Sequence, residues 1–409
     1  MNLAEAFRGS WETLLPIGRE PGTGGYRRFA WTDADHACRD WFATEARARD
    51  LEVVVDRNGN LQAWWEGEDA GRPGVLTGSH LDSVPDGGAF DGPLGVVSGL
   101  LAVDLMRSRG LRPLRPVGVA VFADEEGTRF GLSCVGSRLA AGTVSPAAAR
   151  ALVDSDGISL EAALTEAGID PAGLGRDDAL LAKVAAFVEL HIEQGRRLAD
   201  LDAAVGMATG IWPHGRWRLD FGGEANHAGT TLLQHRHDPM LPFAQTVLAA
   251  RTAAEAAGGV ATIGRVDVDP NATNAVPAAV RAWLDARAEE ESTMQRIVDE
   301  IAEAAQEAAE PHGVQVAISR VSATPGVSFG AELRDRITSA LADRGLHAPL
   351  LPTAAGHDAG ILAPLVPSAM LFVRNPTGIS HSPQEFATTE DCLIGVEALA
   401  AALEVLACR

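Results

Sequence analysis

Apolar and polar residues follow two different periods along the chain and predict that strands and helices alternate in its first part. LEVVVD and NLQAWWEG flank a turn at residues 57–59 and predict a β-hairpin. The apolar runs in GVLTGSHLDS and VGVAVFADEEG predict two buried strands, and residues 95–109 between them predict a helix. Strands that alternate with helices are typical of an α/β domain with a largely parallel sheet.

A second pattern begins near Gly210 and has the order βαββαβ. Its strands are expected in RWRLDFGG, VATIGRVDVD, VRAWLDARA and VQVAISRVSA, and its helices at residues 238–256 and 291–310. This order is typical of a ferredoxin-like α+β unit. Because α/β features resume afterwards, with a helix at 330–345 and a strand in PSAMLFVRN, the second pattern is expected to be an insertion.

These two patterns predict the domain boundaries. Residues 1–211 and 326–409 are expected to form one discontinuous α/β domain, and residues 212–325 a smaller inserted domain. Two domains agree with a length of 409 residues, which exceeds the usual size of a single hydrophobic core.

Charge and composition narrow the possible partners. The 55 acidic residues outnumber the 34 basic ones, and the net charge of -21 argues against nucleic acid or an anionic membrane, since both attract basic patches. No apolar run reaches the roughly 18 residues of a membrane span, and the N-terminal segment lacks the basic start and apolar core of a signal peptide. Because the four cysteines also form no CxxC pair, the sequence predicts a cytoplasmic protein.

Histidines and carboxylates are concentrated in four short segments that contain glycine or border on it: GSHLDSVPDGGAFDG, VFADEEGTRFG, ELHIEQG and GISHSP. The residues concerned are His80, Asp82, Asp91, Glu125, Glu126, His191 and His381. Imidazole and carboxylate groups are ligands that zinc and manganese accept. Most of these residues follow predicted strands, and ligands of parallel sheets gather where the strands end. The four segments together predict a site for divalent metal ions.

The spacing of these residues indicates different tasks. Asp82 could accept a hydrogen bond from the far nitrogen of the His80 ring, and the two oxygens of Asp91 could bridge two ions. Neighbouring residues in a strand point in opposite directions, so one of Glu125 and Glu126 could bind metal while the other takes a proton from water. Each motif alone has a simpler explanation as a solvated loop or a structural histidine, and only their combination favours a metal site.

The four segments, together with HAGT and GHDAG, resemble the M20 metallopeptidase-like amidohydrolases. More narrowly, they resemble the branch of N-carbamoyl-L-amino-acid hydrolases and allantoate amidohydrolases, from about residue 15 to the C-terminus and with every motif in order. The resemblance implies two divalent ions, zinc or manganese, in a catalytic domain, and a lid or dimerisation role for the inserted domain. The histidine of HIEQG supports the narrower branch, since peptidases of this superfamily usually have a carboxylate there.

The resemblance also implies a role for each site residue. The metal ligands would be His80, Asp91 as the bridge, Glu126, His191 and His381. Glu125 would be the general base, and Asp82 would orient His80. His227 would stabilise the oxyanion from the partner subunit, which implies a homodimer; from the residues alone it is a turn histidine.

The expected substrate carries a carboxylate, and the resemblance implies the residues that bind it. Asn274 and Arg287 match a carboxylate-binding pair, and Gln194 matches a position that contacts the ureido end. Without the resemblance, Arg287 is equally well explained as a surface arginine of a strand. His214 and His357 could line the pocket as well.

The predicted reaction is the hydrolysis of a ureido C–N bond, with release of ammonia and carbon dioxide. Allantoate is the leading substrate, and N-carbamoyl-L-amino acids are the alternative. A dipeptidase is disfavoured by His191. A non-catalytic metal- or ligand-binding dimer would require a missing base or ligand, and the sequence contains all of them.

Overall fold

The structure is a computed structural model, and it describes residues 1–408. The chain forms two compact units. The first contains residues 1–209, 329–351 and the chain from residue 356 onward, and the second contains residues 210–328 and 352–355. The predicted small domain, residues 212–325, falls within the second unit.

The helices and strands have the following bounds. The helices are α1 Leu3–Leu14, α2 Asp33–Ala48, α3 Pro93–Ser108, α4 Val135–Ala141, α5 Pro146–Arg150, α6 Leu160–Glu166, α7 Asp178–Lys183, α8 Arg197–Asp200, α9 Met240–Ala257, α10 Glu291–Ala309, α11 Ala331–Ala342, α12 Asp358–Leu362 and α13 Thr389–Ala407. The strands are β1 Glu52–Val55, β2 Leu61–Trp65, β3 Gly74–His80, β4 Val117–Phe122, β5 Val184–Ile192, β6 Val205–Ile211, β7 His214–Gly222, β8 Asn226–His227, β9 Val260–Asp269, β10 Ala275–Val276, β11 Ala279–Arg287, β12 Gln315–Thr324, β13 Val327–Ser328, β14 Leu350–Thr353 and β15 Ser368–Val373. No helix of the described chain is both long and apolar enough to span a lipid bilayer.

The sheet of the first unit has four parallel central strands in the order β4-β3-β5-β15. The hairpin β1-β2 joins β4 in antiparallel fashion, and β6 is antiparallel to β15. Strands β3, β4 and β15 are buried at every residue, as continuous apolar runs covered on both faces should be. Helices α3 and α13 pack against each other and contribute to the same core. The structure confirms the predicted α/β fold with a largely parallel central sheet.

The carboxyl ends of these parallel strands place the candidate site. His80 is the last residue of β3, and His191 is the next to last of β5. Strand β4 ends at Phe122, so Glu125 and Glu126 lie in the loop that follows it. The predicted extension of this strand to the two glutamates is therefore wrong, and the alternation of strand residues does not decide which way their side chains point.

The second unit contains a four-stranded antiparallel sheet in the order β12-β7-β11-β9. Helices α9 and α10 pack against each other, and the chain order β7, α9, β9, β11, α10, β12 is that of a ferredoxin-like unit. Alternate residues of β7 and β11 are buried, which matches a sheet with one face on the core. Their core residues, among them Leu219, Phe221 and Leu284, pack with Ile297 and Ile301 of α10. The predicted inserted α+β fold is confirmed.

Candidate metal centre

Two buried imidazoles lie at adjacent strand ends and point at the same carboxylate. His80 Nδ1 is 3.1 Å from the carbonyl oxygen of Asp82, and His191 Nδ1 is 2.9 Å from the carbonyl oxygen of Ile192. A carbonyl can only accept, so both Nδ1 atoms carry hydrogen and donate. The two Nε2 atoms lie 3.4 and 3.1 Å from Oδ1 of Asp91. Neither Nε2 makes a hydrogen bond to any described residue.

This arrangement fits a cation. Two neutral imidazole lone pairs and a carboxylate oxygen would converge without a donor among them, which is costly in a buried place. A divalent ion of the zinc type satisfies all three at once. When no ion is bound, a proton on an imidazole can supply the missing hydrogen-bond donor. Burial lowers the pKa of His80, but the nearby carboxylates of Glu125, Asp82 and Asp91 outweigh this effect and raise that pKa well above its usual value. Metal and protons therefore compete for the same atoms.

A second triad shares Asp91 with the first. His381 Nε2 lies 3.5 Å from Oδ2 of Asp91 and 3.9 Å from Oε2 of Glu126. Within each triad, His80–Asp91–His191 and Asp91–Glu126–His381, the candidate ligand atoms all lie within 4.8 Å of one another. The structure thus brings the five predicted ligands together, with Asp91 in the bridging place. Their role as ligands remains a prediction.

The backbone around Asp91 is shaped for close approach. Gly92 precedes α3 with φ +83, and a Cβ atom at this position would lie 2.5 Å from the His80 ring. Both the left-handed conformation and the lack of space require glycine here. The amides of Phe90 and Asp91 donate to Oε1 of Glu385, at 3.0 and 2.9 Å. Asp91 is therefore held by its main chain as well as by its side-chain neighbours.

Asp82 holds the loop that carries the two glutamates. Its Oδ1 accepts from the amide of Glu125 at 3.1 Å, and its Oδ2 accepts from the amide of Glu126 at 3.0 Å. The carboxylate lies 3.6 Å from His80 Nδ1, whereas the Asp82 carbonyl oxygen is nearer, at 3.1 Å. Asp82 thus contacts the His80 ring chiefly through its main chain, and its carboxylate has a further task that the sequence did not indicate.

Glu125 lies beside the triads without belonging to either of them. Its Oε2 is 3.7 Å from His80 Nε2, and its Oε1 accepts a hydrogen bond from the Cys134 thiol at 3.3 Å. Burial raises the pKa of the Glu125 carboxyl well above its usual value, an effect that His80 opposes. Burial likewise raises the pKa of Glu126, to about 8. Carboxyl groups with a raised pKa can exchange protons near neutral pH.

The metal-free protein is expected to become less stable as the pH rises from about 5 to about 8. Burial raises the pKa of Glu126 and of Asp358 to about 8, and that of Glu385 to about 7. In the unfolded chain, such carboxyls titrate near pH 4. In this window the folded state therefore keeps protons that the unfolded state has lost, and stability falls as the pH rises. The raised pKa values of His80 and His191 act in the same direction above about pH 6.5.

Thermal unfolding with a chelator, at several pH values in this range, measures the effect. His357 and His214 oppose it, because burial lowers the pKa of both imidazoles, that of His357 well below the usual value. Added manganese or zinc should reduce the pH dependence, since the ions would replace the protons on Glu126, His80 and His191. A metal-free unfolding temperature that rises from pH 5 to pH 8 would contradict this reasoning.

Gln194 and His357 both lie close to the two triads of candidate ligands. Gln194 Nε2 donates to Oδ2 of Asp91 at 2.9 Å and lies 3.3 Å from His381 Nε2. His357 is only 2% exposed, and its ring packs edge-on against His191 with 4.5 Å between ring centroids. Its predicted role in lining the pocket stays a prediction, and its burial favours an influence through His191.

In the second unit, His227 and Asn274 lie side by side. His227 of β8 pairs with Ala275 of β10, and the carbonyl oxygen of Asn274 accepts from the amide of Ala228 at 3.0 Å. His227 Nδ1 accepts from two main-chain amides, those of Gly229 and Thr230, at 3.0 and 3.1 Å. An acceptor at Nδ1 requires the neutral ring to carry its proton on Nε2. His227 is exposed, so its Nε2 can donate a hydrogen bond outward.

Arg287 and His214 face each other across the β7-β11 ladder of the second unit. The Arg287 guanidinium donates through Nε and Nη2 to both oxygens of Asp285, at 2.7 and 3.1 Å, and through Nη1 to the carbonyl oxygen of Ala354 at 2.6 Å. These bonds use three of its five N–H groups and fix its plane. Two N–H groups remain for a ligand. Burial and the Arg287 charge lower the pKa of His214, which favours its neutral form.

Sequence reasoning missed two buried carboxylates beneath the triads. Glu385 receives the amide hydrogen bonds around Asp91, and its position four residues after His381 was the available signal. Glu189, two residues before His191 in β5, accepts from the Ser79 hydroxyl and from the amide of Ala359, both at 2.9 Å. Neither residue stands in a recognisable motif of its own, and their hydrogen bonds to the site become visible only in the fold.

The chain is similar to known proteins over almost its whole length. The sequence profile of peptidase family M20/M25/M40 matches residues 76–405. An N-carbamoyl-L-amino acid amidohydrolase of Geobacillus stearothermophilus is 37% identical, over 95% of this chain and 96% of that protein. An allantoate amidohydrolase of Escherichia coli K12 is 32% identical, over 98% of both chains. A crystal structure of an amidase of the hydantoinase/carbamoylase family from Burkholderia multivorans superposes with a TM-score of 0.89 at 29% identity, over 99% of this chain and 98% of that one.

Proposed function

Since the chain belongs to peptidase family M20/M25/M40, we propose that it is an amidohydrolase that cleaves a ureido C–N bond in a small carboxylate substrate. The observation that carries this proposal is the pair of ligand triads that share Asp91, with the Glu125 carboxylate next to them and outside both. That arrangement would accommodate two divalent ions and a separate base, a combination that can hydrolyse an amide.

The five ligands His80, Asp91, Glu126, His191 and His381 would hold two divalent ions, zinc or manganese. When bound, such ions polarise a carbonyl group and lower the pKa of a water molecule. Glu125 would accept the proton of that water and later deliver it to the leaving nitrogen. Its raised pKa supports both steps, because the carboxyl must take up and release a proton near neutral pH.

The residues of the second unit would recognise the substrate and stabilise developing charge. His227 offers an Nε2 donor fixed by two main-chain amides, which suits an oxyanion. Asn274 and the two remaining N–H groups of Arg287 would hold the carboxylate, and Gln194 in the first unit would contact the ureido end. The carbamate product would lose carbon dioxide and release ammonia.

We propose that the protein acts as a homodimer in which His227 serves the site of the partner subunit. Helix α9 supports this, because Leu241 and Leu248 lie two turns apart and are 48% and 71% exposed. Large apolar side chains on one helix face favour contact with another protein surface. The proposed partner of this α9 surface is a second copy of the same chain, because His227 could act in another subunit's site only within a homodimer.

Allantoate is the leading substrate, supported by the segments RNPTGISHSP and GHDAG. N-carbamoyl-L-amino acids are the second candidate. They are supported by the carbamoylase relative, which is 37% identical to this chain, whereas the allantoate amidohydrolase is 32% identical. Both molecules pair a ureido group with a carboxylate, so the same residues would serve them.

Ammonia release from allantoate and from a panel of N-carbamoyl-L-amino acids, measured side by side, tests the proposal. We expect turnover of at least one of them, its loss after treatment with a chelator, and its return with manganese or zinc. Dipeptides should not be cleaved at a comparable rate. Activity that survives complete removal of divalent ions, or the absence of ammonia from every ureido substrate, would overturn the proposed function.

A further inference from the structure

We propose that Glu385 is a positioning residue that ties Asp91 to the His381 loop and thereby determines how tightly the triad Asp91–Glu126–His381 binds its ion. The inference rests on the proposed dinuclear site and adds a residue to it that touches no reacting group. It does not depend on which substrate the enzyme takes.

Glu385 joins two ligand segments that lie almost 300 residues apart in the sequence. Its Oε1 accepts from the amides of Phe90 and Asp91, at 3.0 and 2.9 Å. Its Oε2 accepts from the hydroxyl of Ser380, the residue before His381, at 3.0 Å. The same hydroxyl lies 3.3 Å from Oδ2 of Asp91. Each oxygen of this carboxylate therefore holds one ligand segment.

The surroundings of Glu385 leave little room for another arrangement. The residue is 5% exposed. A Cβ atom on Gly88 would lie within 2.3–2.5 Å of the Glu385 side chain. A residue with a side chain at position 88 would therefore displace the Glu385 carboxylate from its place beside Asp91. His381 has a φ of +54, which is uncommon for a residue other than glycine. A conformation of this kind persists only when its neighbours hold it, and the Ser380–Glu385 bond is next to it.

The effect of Glu385 should fall on one triad. His80 and His191 are placed by the buried strands β3 and β5, and their Nδ1 atoms bond to main-chain carbonyls. His381 lies on a loop, and its side chain is 49% exposed. Loss of the Glu385 bonds would thus loosen His381 and the amide support of Asp91 while the two strand histidines keep their positions.

Metal titration of the stripped full-length protein tests this inference, with calorimetry for Mn²⁺ or Zn²⁺ and the visible absorption spectrum for Co²⁺. The wild type should bind two ions. Glu385→Ala should weaken one of the two binding steps by about 10- to 100-fold and affect the other much less, because Asp91 is shared but His80 and His191 keep their positions. Glu385→Gln should restore most of the loss, because its amide oxygen can accept the same two main-chain hydrogens and its Nε2 can donate to Ser380.

Asp154→Asn is the matched control. The side chain of Asp154 is 7% exposed and also accepts from two main-chain amides, those of Asp156 and Ile158, and from one side chain, Arg129. Its partner Arg129 lies three residues after Glu126, but Asp154 contacts none of the five predicted ligands, so this variant should bind both ions like the wild type. Thermal unfolding of the metal-free variants separates a local effect from a general loss of fold.

Two unchanged binding steps in Glu385→Ala would overturn the inference, and so would an equal weakening of both steps. A wild type that binds fewer than two ions would overturn the dinuclear site itself, and the inference with it. If one step weakens selectively but no ureido compound is hydrolysed, the proposed function fails while the role of Glu385 stands.

Discussion

Glu125→Gln is expected to lower kcat by about 10²- to 10⁴-fold while both metal ions remain bound. Glutamine has nearly the same shape as glutamate and can still accept the Cys134 hydrogen bond at its oxygen, but it cannot accept a proton from water. Glu125 lies outside both ligand triads, so its replacement removes no predicted ligand. Steady-state kinetics and metal analysis of the same preparation measure the two effects.

The neighbouring Glu126→Gln provides the comparison. Glu126 belongs to the triad with Asp91 and His381, so its replacement should reduce metal content as well as turnover. Both glutamates share the loop that the Asp82 carboxylate holds, and the two variants therefore perturb the same segment. If Glu125→Gln keeps its activity, or loses metal as Glu126→Gln does, Glu125 is not the base.

His227→Ala is expected to lower kcat by about 10²- to 10³-fold, because the oxyanion would lose a preorganised hydrogen-bond donor. The Nε2–H of His227 is fixed by the two amides that donate to Nδ1. KM should change much less, since the donor acts on charge that develops in the transition state. His235→Ala removes another histidine from the same unit and should leave kcat unchanged; His235 lies in a short exposed turn.

Mixed dimers test whether His227 serves the partner subunit. When equal amounts of Glu125→Gln and His227→Ala are unfolded and refolded together, half of the dimers should contain one chain of each kind. In these dimers one site combines an intact Glu125 with an intact His227 of the other chain, so activity should return to about a quarter of the wild-type level. If His227 acts within its own chain, every site lacks one residue and the mixture stays inactive.

The chemistry of the candidate site could be predicted from residue types and local order. His80, Asp91, Glu126, His191 and His381 stand in short motifs beside glycines, and their side chains leave few alternatives to a divalent ion. Apolar runs also predicted three of the four central strands, β3, β4 and β15, though not β5, and the period of the side chains predicted the inserted βαββαβ unit, since such patterns are local properties of the backbone. For α4 to α7, where four short helices follow one another, the pattern made no prediction, because helices of five to seven residues hardly develop a period.

Contacts between distant segments were decided by the tertiary structure. The pairing of β3 with β4 and β5 brings His80 beside Glu125 and His191, and it places the two glutamates in a loop rather than in a strand. Glu385 reaches the amide of Asp91 across 294 residues. The sequence by itself determined which groups are available for binding metal and moving protons. Only the fold decided which oxygen and nitrogen atoms meet, because sheet register and loop packing depend on the whole chain and leave no local pattern.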